Sequence, residues 1–467
     1  MQRGVRARRH PCLVVLHAAL ASVLAACAVP NVNGAIAQAP PGPQTVVGAH
    51  GPLSAARSRE ILDALNRQSP NSDILDRHIA IEEAVTGTPL IAGNRTTILH
   101  DGGATFTAMF DAIRGARHSI NLEFYTFEDV ESGGEHLGTL LLAKRQQGVA
   151  VNILYDSYGS ADTPPEFLKS LRAAGCLVLE YNPIDPLRAR GPYLPNDRDH
   201  RKLLIVDGLM AFVGGVNLYT GYQAHPHSEL IGSGGDTNVF WHDTDMQIGG
   251  PAVAALQQLF VQHWIDQDGP PLDQSTFFPP LQHQGNEVLH VLGSTPGQPV
   301  PAYYATILSA ITNAEQRIWL TTAYFVPTDD ELDDLESAAR RGVDVRLMLP
   351  SQSDSQAAFD VGRSHYDDLL EAGVKIYEIQ NEVLHSKTAV IDGVWSVIGS
   401  SNFDHRSVLF NDEVDVIVLG RATATQLEAE FQADEAKSRA IDATTWSHRS
   451  FEERLRELFA RIWQSML

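Results

Sequence analysis

The sequence predicts an α/β protein built as two similar halves, and three observations carry that prediction. A string of residues occurs twice, at 200–217 and 385–402, and both copies obey H-x-K-x4-D-x6-G-[GS]-x-N. Strand-like segments repeat around it: residues 119–127 are answered by 317–325, 148–155 by 342–349, and 174–181 by 372–379. Helical segments at 167–173 and 366–371 precede the last pair, and strands alternating with helices imply a layered α/β structure. The chain has 467 residues, 43% of them hydrophobic, enough for two halves with proper cores. The halves divide at roughly 85–280 and 281–467, from the repeat of these elements.

In chain order, residues 1–27 read as a signal peptide. Arg3, Arg6, Arg8 and Arg9 precede an apolar run from Cys12 to Leu24, which has the length of a signal core rather than of a membrane span. The run ends in Leu24, Ala25, Ala26 and Cys27, a lipobox-like pattern that marks Cys27 for lipidation. Residues 28–84 are expected to be a tether, rich in Pro, Ala, Gly and Gln as far as Gly51, with a short helix over 54–66. Phe106, Met109, Phe110 and Ile113 mark an amphipathic helix in the first half. At the C-terminus, Phe451, Leu455, Leu458, Phe459, Ile462 and Met466 form an apolar stripe. Amphipathic helices bury such stripes, so this one is expected to dock on the core rather than lie on a membrane.

The formal net charge is −22, and losing residues 1–26, with four Arg and no acid, would make it four units more negative. A chain this acidic argues against a nucleic-acid partner, which would need a basic surface, and it would not be held to anionic lipid by charge alone. Of three cysteines only Cys176 lies in the body, so neither a disulfide framework nor a Cys/His metal cluster is available.

The repeated string has a definite geometry. Lys202 to Val206 is β-prone, which puts His200 and Lys202 two apart on one strand face. Asp207-Gly208 and Asp392-Gly393 are hairpin signals. A two-residue turn would pair Val206 with Leu209 and His200 with Gly215, and would return Asn217 beside His200 and Lys202. Asp207 would then lie on the order of 16 Å away. Asp207 and Asp392 are therefore read as structural members of the catalytic signature, capping the turns. A working histidine needs its second ring nitrogen fixed by an acceptor. Aligning the next strands sets Asp243 against Glu413, ahead of Asp245 and Asp415, and Asp243 is expected to orient His200.

The chemistry implied is phosphoryl transfer through histidine. One imidazole attacks phosphorus and the other protonates the leaving oxygen. Lys202, Lys387, Asn217 and Asn402 surround the non-bridging oxygens. No metal or other cofactor is expected, because the ammonium groups supply the positive charge. Each motif supplies half a site, so the halves should meet about a pseudo-two-fold axis. A lone histidine at a strand edge is usually structural; two, equally placed in a repeat, are not read that way.

The chain resembles the phospholipase D superfamily, and within it the bacterial cardiolipin synthases, from about Leu90 to the C-terminus. The resemblance rests on both signatures and on the marks around them. In the first half these are residues 101–106, 122–127, 155–159, 182–183, 186–188 and 198–203. In the second they are 321–327, 349–350, 353–354 and 402–407. It implies two α/β/α sandwich halves with the active site at their interface. It also implies a phosphohistidine intermediate, with His200 and His385 as the pair; the sequence does not separate their roles, and His200 is taken as nucleophile and His385 as general acid. Phosphatidylglycerol would donate a phosphatidyl group to a second lipid alcohol, giving cardiolipin and glycerol. Water as acceptor, which would make the chain a hydrolytic phospholipase D releasing phosphatidic acid, is the alternative. Many members carry paired N-terminal membrane helices where this sequence has the signal-like segment. The expected setting is thus a monomer at a membrane surface in the cell envelope, facing the periplasm, with the cytoplasmic membrane face as the alternative.

Overall fold

The computed structural model describes residues 29–38, 45–68, 72–189, 193–223 and 240–466. The proposed signal segment, Cys27 included, lies outside the described residues. In the first half the elements are β1 Leu90–His100, α1 Asp101–Gly115, β2 Ser119–Phe124, α2 Leu137–Gln146, β3 Ala150–Asp156, α3 Pro165–Ala173 and β4 Leu177–Tyr181. The hairpin β5 Lys202–Val206 and β6 Met210–Gly214 follows, then β7 Thr244–Gly249 and α4 Ala252–Asp266. The second half runs β8 Glu287–Ser294, α5 Ala302–Asn313, β9 Arg317–Thr321, α6 Asp329–Arg340, β10 Asp344–Pro350, α7 Gln356–Ser364 and α8 Tyr366–Ala372. It continues with β11 Lys375–Ile379, the hairpin β12 Thr388–Ile391 and β13 Trp395–Gly399, α9 His405–Leu409, β14 Asn411–Leu419, α10 Arg421–Lys437 and α11 Phe451–Ala460.

The two sheets have one topology. The first is ordered β1-β7-β6-β5-β2-β3-β4. The second is ordered β8-β14-β13-β12-β9-β10-β11. In each, the last three strands are parallel, joined by helices, and the rest are antiparallel, as a hairpin between them allows.

Alternation along the strands sets the layers. Ile120, Leu122 and Phe124 turn outward onto Phe106, Met109, Phe110 and Ile113 of α1. The second half does the same with Ile318 and Leu320 against Ile307 and Ile311 of α5. The opposite faces meet each other: Leu203, Ile205, Val213 and Met246 join Val390, Ile398, Val414 and Val416 in one buried cluster with α4. Burial of each such side chain is worth about 1.5–3 kcal/mol. Antiparallel pairing of β1 with β8, Leu289 opposite Ile91, adds hydrogen bonds across the same seam. The chain is therefore a two-lobed α/β structure whose lobes share one core.

Three expectations are corrected. The stretch read as a tether is fastened in its described parts. Val32 is fully buried among Tyr304, Ala305, Leu308 and Val408, and Val46–Gly48 runs parallel to β1. Val32 and Val46 each find a place in a core, which composition does not reveal. The hairpin register is one residue off the expected one. Leu209 N–H does donate to Val206 O across the Asp207-Gly208 turn, but Leu209 is an extra residue and Val206 pairs with Met210. The second hairpin repeats this, with Ile391 opposite Trp395. Finally, α11 does not bury its apolar stripe. Phe451, Leu458, Phe459 and Ile462 are exposed, while Glu457 on the other face is buried. α11 packs on α7, whose Asp360 takes Arg456 at 2.9 Å, and Glu457 takes Arg449 at 2.9 Å. The surface left open by the closed core is polar, so the polar face docks.

Candidate active site

The signature residues divide between the two ends of each hairpin. At the tips, Asp207 and Asp392 have φ of 54° and 51°, followed by glycines that are also left-handed. Asp207 accepts the backbone N–H groups of Arg117, His118 and Ser119 at 2.8, 2.7 and 2.9 Å. Asp392 accepts those of Glu315, Gln316 and Arg317 at 2.9, 2.8 and 3.0 Å. Each aspartate thus ties its tip to the loop entering the neighbouring strand.

At the other ends, His200, His385, Asn217 and Asn402 line one cavity of about 820 Å³, together with Arg198, Arg406, Tyr125 and Trp241. Two short parallel pairings between the lobes bring them there. Arg198–Asp199 runs beside Asn411–Asp412, so that His200 N–H donates to Asp412 O at 2.9 Å. Trp241–His242 runs beside Val383–Leu384, so that His385 N–H donates to His242 O at 2.8 Å. Each histidine is therefore seated next to the strand of the opposite lobe, and its carboxylate partner follows from that seating. His200 Nδ1 lies 3.0 Å from Glu413 Oε1, and His385 Nδ1 lies 2.8 Å from Asp243 Oδ2. The two carboxylates chosen from sequence are present at the histidines, but the pairing expected for Asp243 is corrected. Asp243 meets His385, and His200 meets Glu413. In both rings Nδ1 is engaged, which leaves Nε2 for chemistry.

Asp245 and Asp415, two residues further along the same segments, are also buried, Asp415 accepting from Ser401 Oγ at 2.6 Å. Position 215 shows why the signature allows Gly or Ser. A Cβ at Gly215 would stand 2.0 Å from Asp243 Oδ1. Ser400 occupies the equivalent place and donates to Glu413 Oε2 at 2.5 Å.

Lys202 and Lys387 are buried and donate to the carbonyls of His200 and His385, the first at 2.6 Å. Burial pushes the lysines down, Lys202 to about 7 and Lys387 to about 8, with Glu413 and Asp243 opposing respectively. Burial, then Lys202 and Lys387, hold His200 well below the ordinary imidazole range. Burial, then Lys387, also lowers His385, with Asp243 opposing. Lysines from both lobes thus act on His200. The carboxylates differ. Burial raises Glu413, with Lys202 pulling the other way. Burial would raise Asp243 too, but His385, Lys387 and the Tyr222 hydroxyl bring it below the ordinary aspartate value.

Several site residues escaped the sequence reading. Tyr222 Oη lies 2.5 Å from Asp243 Oδ2 and 2.9 Å from His385 Nδ1. Trp241 packs on the His385 ring, with centroids 5.4 Å apart, and Tyr125 on His200 at 5.2 Å. Ser407 Oγ and Asn411 Nδ2 donate to Glu413 Oε1, each at 3.0 Å. Ser407 and Arg406 fall inside the quoted 402–407 mark, a signal that could have found them; Tyr222 stands five residues after Asn217 as Ser407 stands five after Asn402, and each donates its hydroxyl to the carboxylate of its own lobe. Among the described residues two groups have metal-ligand spacing, the buried Glu123–Asp199–His263 and the partly buried His242–Glu430–Asp434. In the first, burial lowers His263 but Asp412 and Glu123 win, raising it to about 9. In the second, burial of His242 is likewise outweighed by Asp101 and Asp434. Both imidazoles favour a proton at neutral pH, and Arg201 stands beside Glu123 at 3.3 Å.

The arrangement offers two imidazoles bonded through Nδ1 and two carboxamides around one cavity, with two buried ammonium groups behind the histidines, a set suited to covalent transfer of a phosphoryl group. The family described as "Cardiolipin synthase, PLD-like domain" matches residues 109–264 and 307–435. A cardiolipin synthase of Geobacillus thermodenitrificans is 35% identical over 384 residues, which cover 81% of this chain and 74% of that one. A cardiolipin synthase A of Pseudomonas entomophila is 34% identical over 361 residues, covering 76% of this chain and 71% of the other. Among solved structures, the phosphatidylserine synthase of Haemophilus influenzae superposes with a TM-score of 0.61 at 13% identity, covering 82% and 97% of the two chains. That last likeness speaks to the fold.

Proposed function

The chain belongs to the cardiolipin synthase family of phospholipase D-like enzymes and is a phosphatidyltransferase, and on that premise we propose how its residues divide the reaction. Hydrolysis, carried beside transfer from the sequence, is not favoured by that membership. The observation that carries the reading is the pair of histidines, each held through Nδ1 by a carboxylate of the opposite lobe, facing one cavity.

His200 Nε2, held in its neutral form, attacks the phosphorus of phosphatidylglycerol. The bond from phosphorus to the glycerol oxygen breaks, and His385 gives that oxygen a proton. In the second step a hydroxyl of another lipid headgroup attacks the phosphohistidine. His385 takes the hydroxyl proton, the P–N bond breaks, and His200 is free again. Lys202, Lys387, Asn217 and Asn402 stabilise the charge on the non-bridging oxygens. Cardiolipin and glycerol are the products.

Among the described residues no helix is long and apolar enough to cross a membrane. The lipobox pattern at Cys27 supports attachment by acylation to the cell envelope, on the periplasmic side. Both half-sites lie on one chain, which supports a monomer as the working unit. Purified protein mixed with phosphatidylglycerol vesicles should release glycerol and yield a four-chain lipid. Phosphatidic acid as the sole lipid product would overturn the reading. Labelled fatty acid should enter the wild-type chain and not Cys27→Ser, and light scattering should return a single-chain mass.

A further inference from the structure

We infer that α11 and the loop segments 182–189 and 193–197 form a membrane-docking surface around the mouth of the lipid cavity. The inference rests on the reading above, in that the cavity takes a bilayer lipid.

Two separate segments expose large apolar side chains. On α11 and the turn after it, Phe451 is 79% exposed, Leu458 62%, Ile462 68% and Trp463 57%. In the loop, Leu187 is 93% exposed, with Ile184 and Leu194 each about half exposed. A surface helix ordinarily turns its apolar stripe inward. Here the polar side is the one that is fastened. Besides the Asp360 and Glu457 pairs, Arg461 Nε donates to Ser364 Oγ at 3.0 Å, and Gln464 Nε2 donates to Pro327 O at 2.8 Å. The stripe is held outward by construction, and contiguous exposed apolar surface marks an interaction site.

Position argues for a bilayer as the occupant. α7, on which α11 rests, contributes Ala358 to the cavity wall. The loop contributes Pro195 and Asn196 to the same wall. α9 links the two patches: its Arg406 lines the cavity and donates to Asn196 Oδ1 at 3.1 Å, and the turn Arg461–Met466 packs against α9. The exposed apolar side chains thus sit on elements that adjoin the wall of the cavity a phospholipid headgroup must enter. The described N-terminal segment also arrives here, since Val29 and Val32 pack with Val408 and Leu409 of α9. With a net charge of −22 the chain gains no general attraction to anionic lipid, so docking must come from inserted apolar side chains.

The test uses the full chain carrying Cys27→Ser, which removes any acyl anchor, and two further changes: the pair Leu458→Glu with Phe459→Glu, and separately Leu187→Glu. Each is assayed on long-chain phosphatidylglycerol in vesicles and on dihexanoyl phosphatidylglycerol dispersed as monomers. Each should need roughly tenfold more vesicles for half-maximal rate, the scale of one lost apolar insertion, with turnover of the dispersed lipid unchanged. Unchanged vesicle rates would overturn the inference, as would equal loss on both lipids by Leu187→Glu. A change from dimer to monomer mass without loss of vesicle binding would assign the surface to a second copy, and also overturn it. Failure of the unmodified chain to turn over either lipid would instead overturn the proposed function.

Discussion

The two lobes hold their histidines in the same way but surround them differently. His200 faces Glu413, which is also bonded by Ser400, Ser407 and Asn411 and is pushed towards its neutral form. His385 faces Asp243, which stays charged and is bonded by the Tyr222 hydroxyl, with Trp241 against the ring. A neutral ring with little pull towards protonation is a resident nucleophile. A ring beside a firm negative charge is better at holding a proton and giving it away. On the division of roles proposed above, near-symmetric backbones would reach different chemistry through the groups that bond each carboxylate.

The comparison breaks most directly through the histidines themselves. His200→Ala and His385→Ala should each lower turnover by at least roughly 10⁴-fold. A phosphatidyl donor with a p-nitrophenol leaving group, which needs no proton, should restore burst release of nitrophenol in His385→Ala and not in His200→Ala. Restoration in the other variant would exchange the roles. Next, Asp243→Asn should cost on the order of 10³-fold in kcat, the scale of a lost orienting carboxylate. Glu413→Gln should cost about 10- to 100-fold, because a neutral acceptor still serves there. Equal losses would erase the asymmetry.

The pH profile sharpens the same contrast. The lysines must be charged to hold an anionic phosphate, and their folded values lie near 7 and 8. kcat/KM should therefore fall as pH rises, first where His385, the proton donor of the first step and held below the ordinary imidazole value, loses its proton, and again through the lysine range. The limb in kcat should sit higher, because bound phosphate favours the ammonium form. On the acid side, His200 is depressed, so the nucleophile should stay unprotonated to well below pH 6.5. An acid limb above that value would contradict the assignment. The smallest expected effect on activity comes from the hairpin tips. Asp207→Ala and Asp392→Ala each leave three backbone N–H groups without their acceptor and should cost about 2–4 kcal/mol of stability in denaturant titration. Activity per folded molecule should hardly change.

Much of this was legible in the sequence because it repeats. The doubled signature and the doubled strands located both hairpins, and aligning the strands after them singled out Asp243 and Glu413. Their pairing was not legible. It depends on two-residue parallel contacts, at Arg198–Asp199 and Trp241–His242, that have no pattern of their own. The extra residue Leu209 moved the hairpin register by one, and nothing in an Asp-Gly turn announces it. Tyr222 shares its offset from the motif asparagine with Ser407, but a tyrosine and a serine do not read as equivalents in the repeat. Amphipathicity located α11 but not its orientation, since a stripe shows which sides differ and not which side meets protein.

The exchange of carboxylates between lobes has a consequence for how such a site can change. In a symmetric pair of separate subunits, any substitution next to one histidine appears next to the other, so the two must share a single compromise. Joined in one chain, the positions are independent. Ser400 can lengthen the reach to a glutamate on one side while Gly215 makes room for an aspartate on the other. Covalent fusion is what permits a division of labour between otherwise interchangeable half-sites.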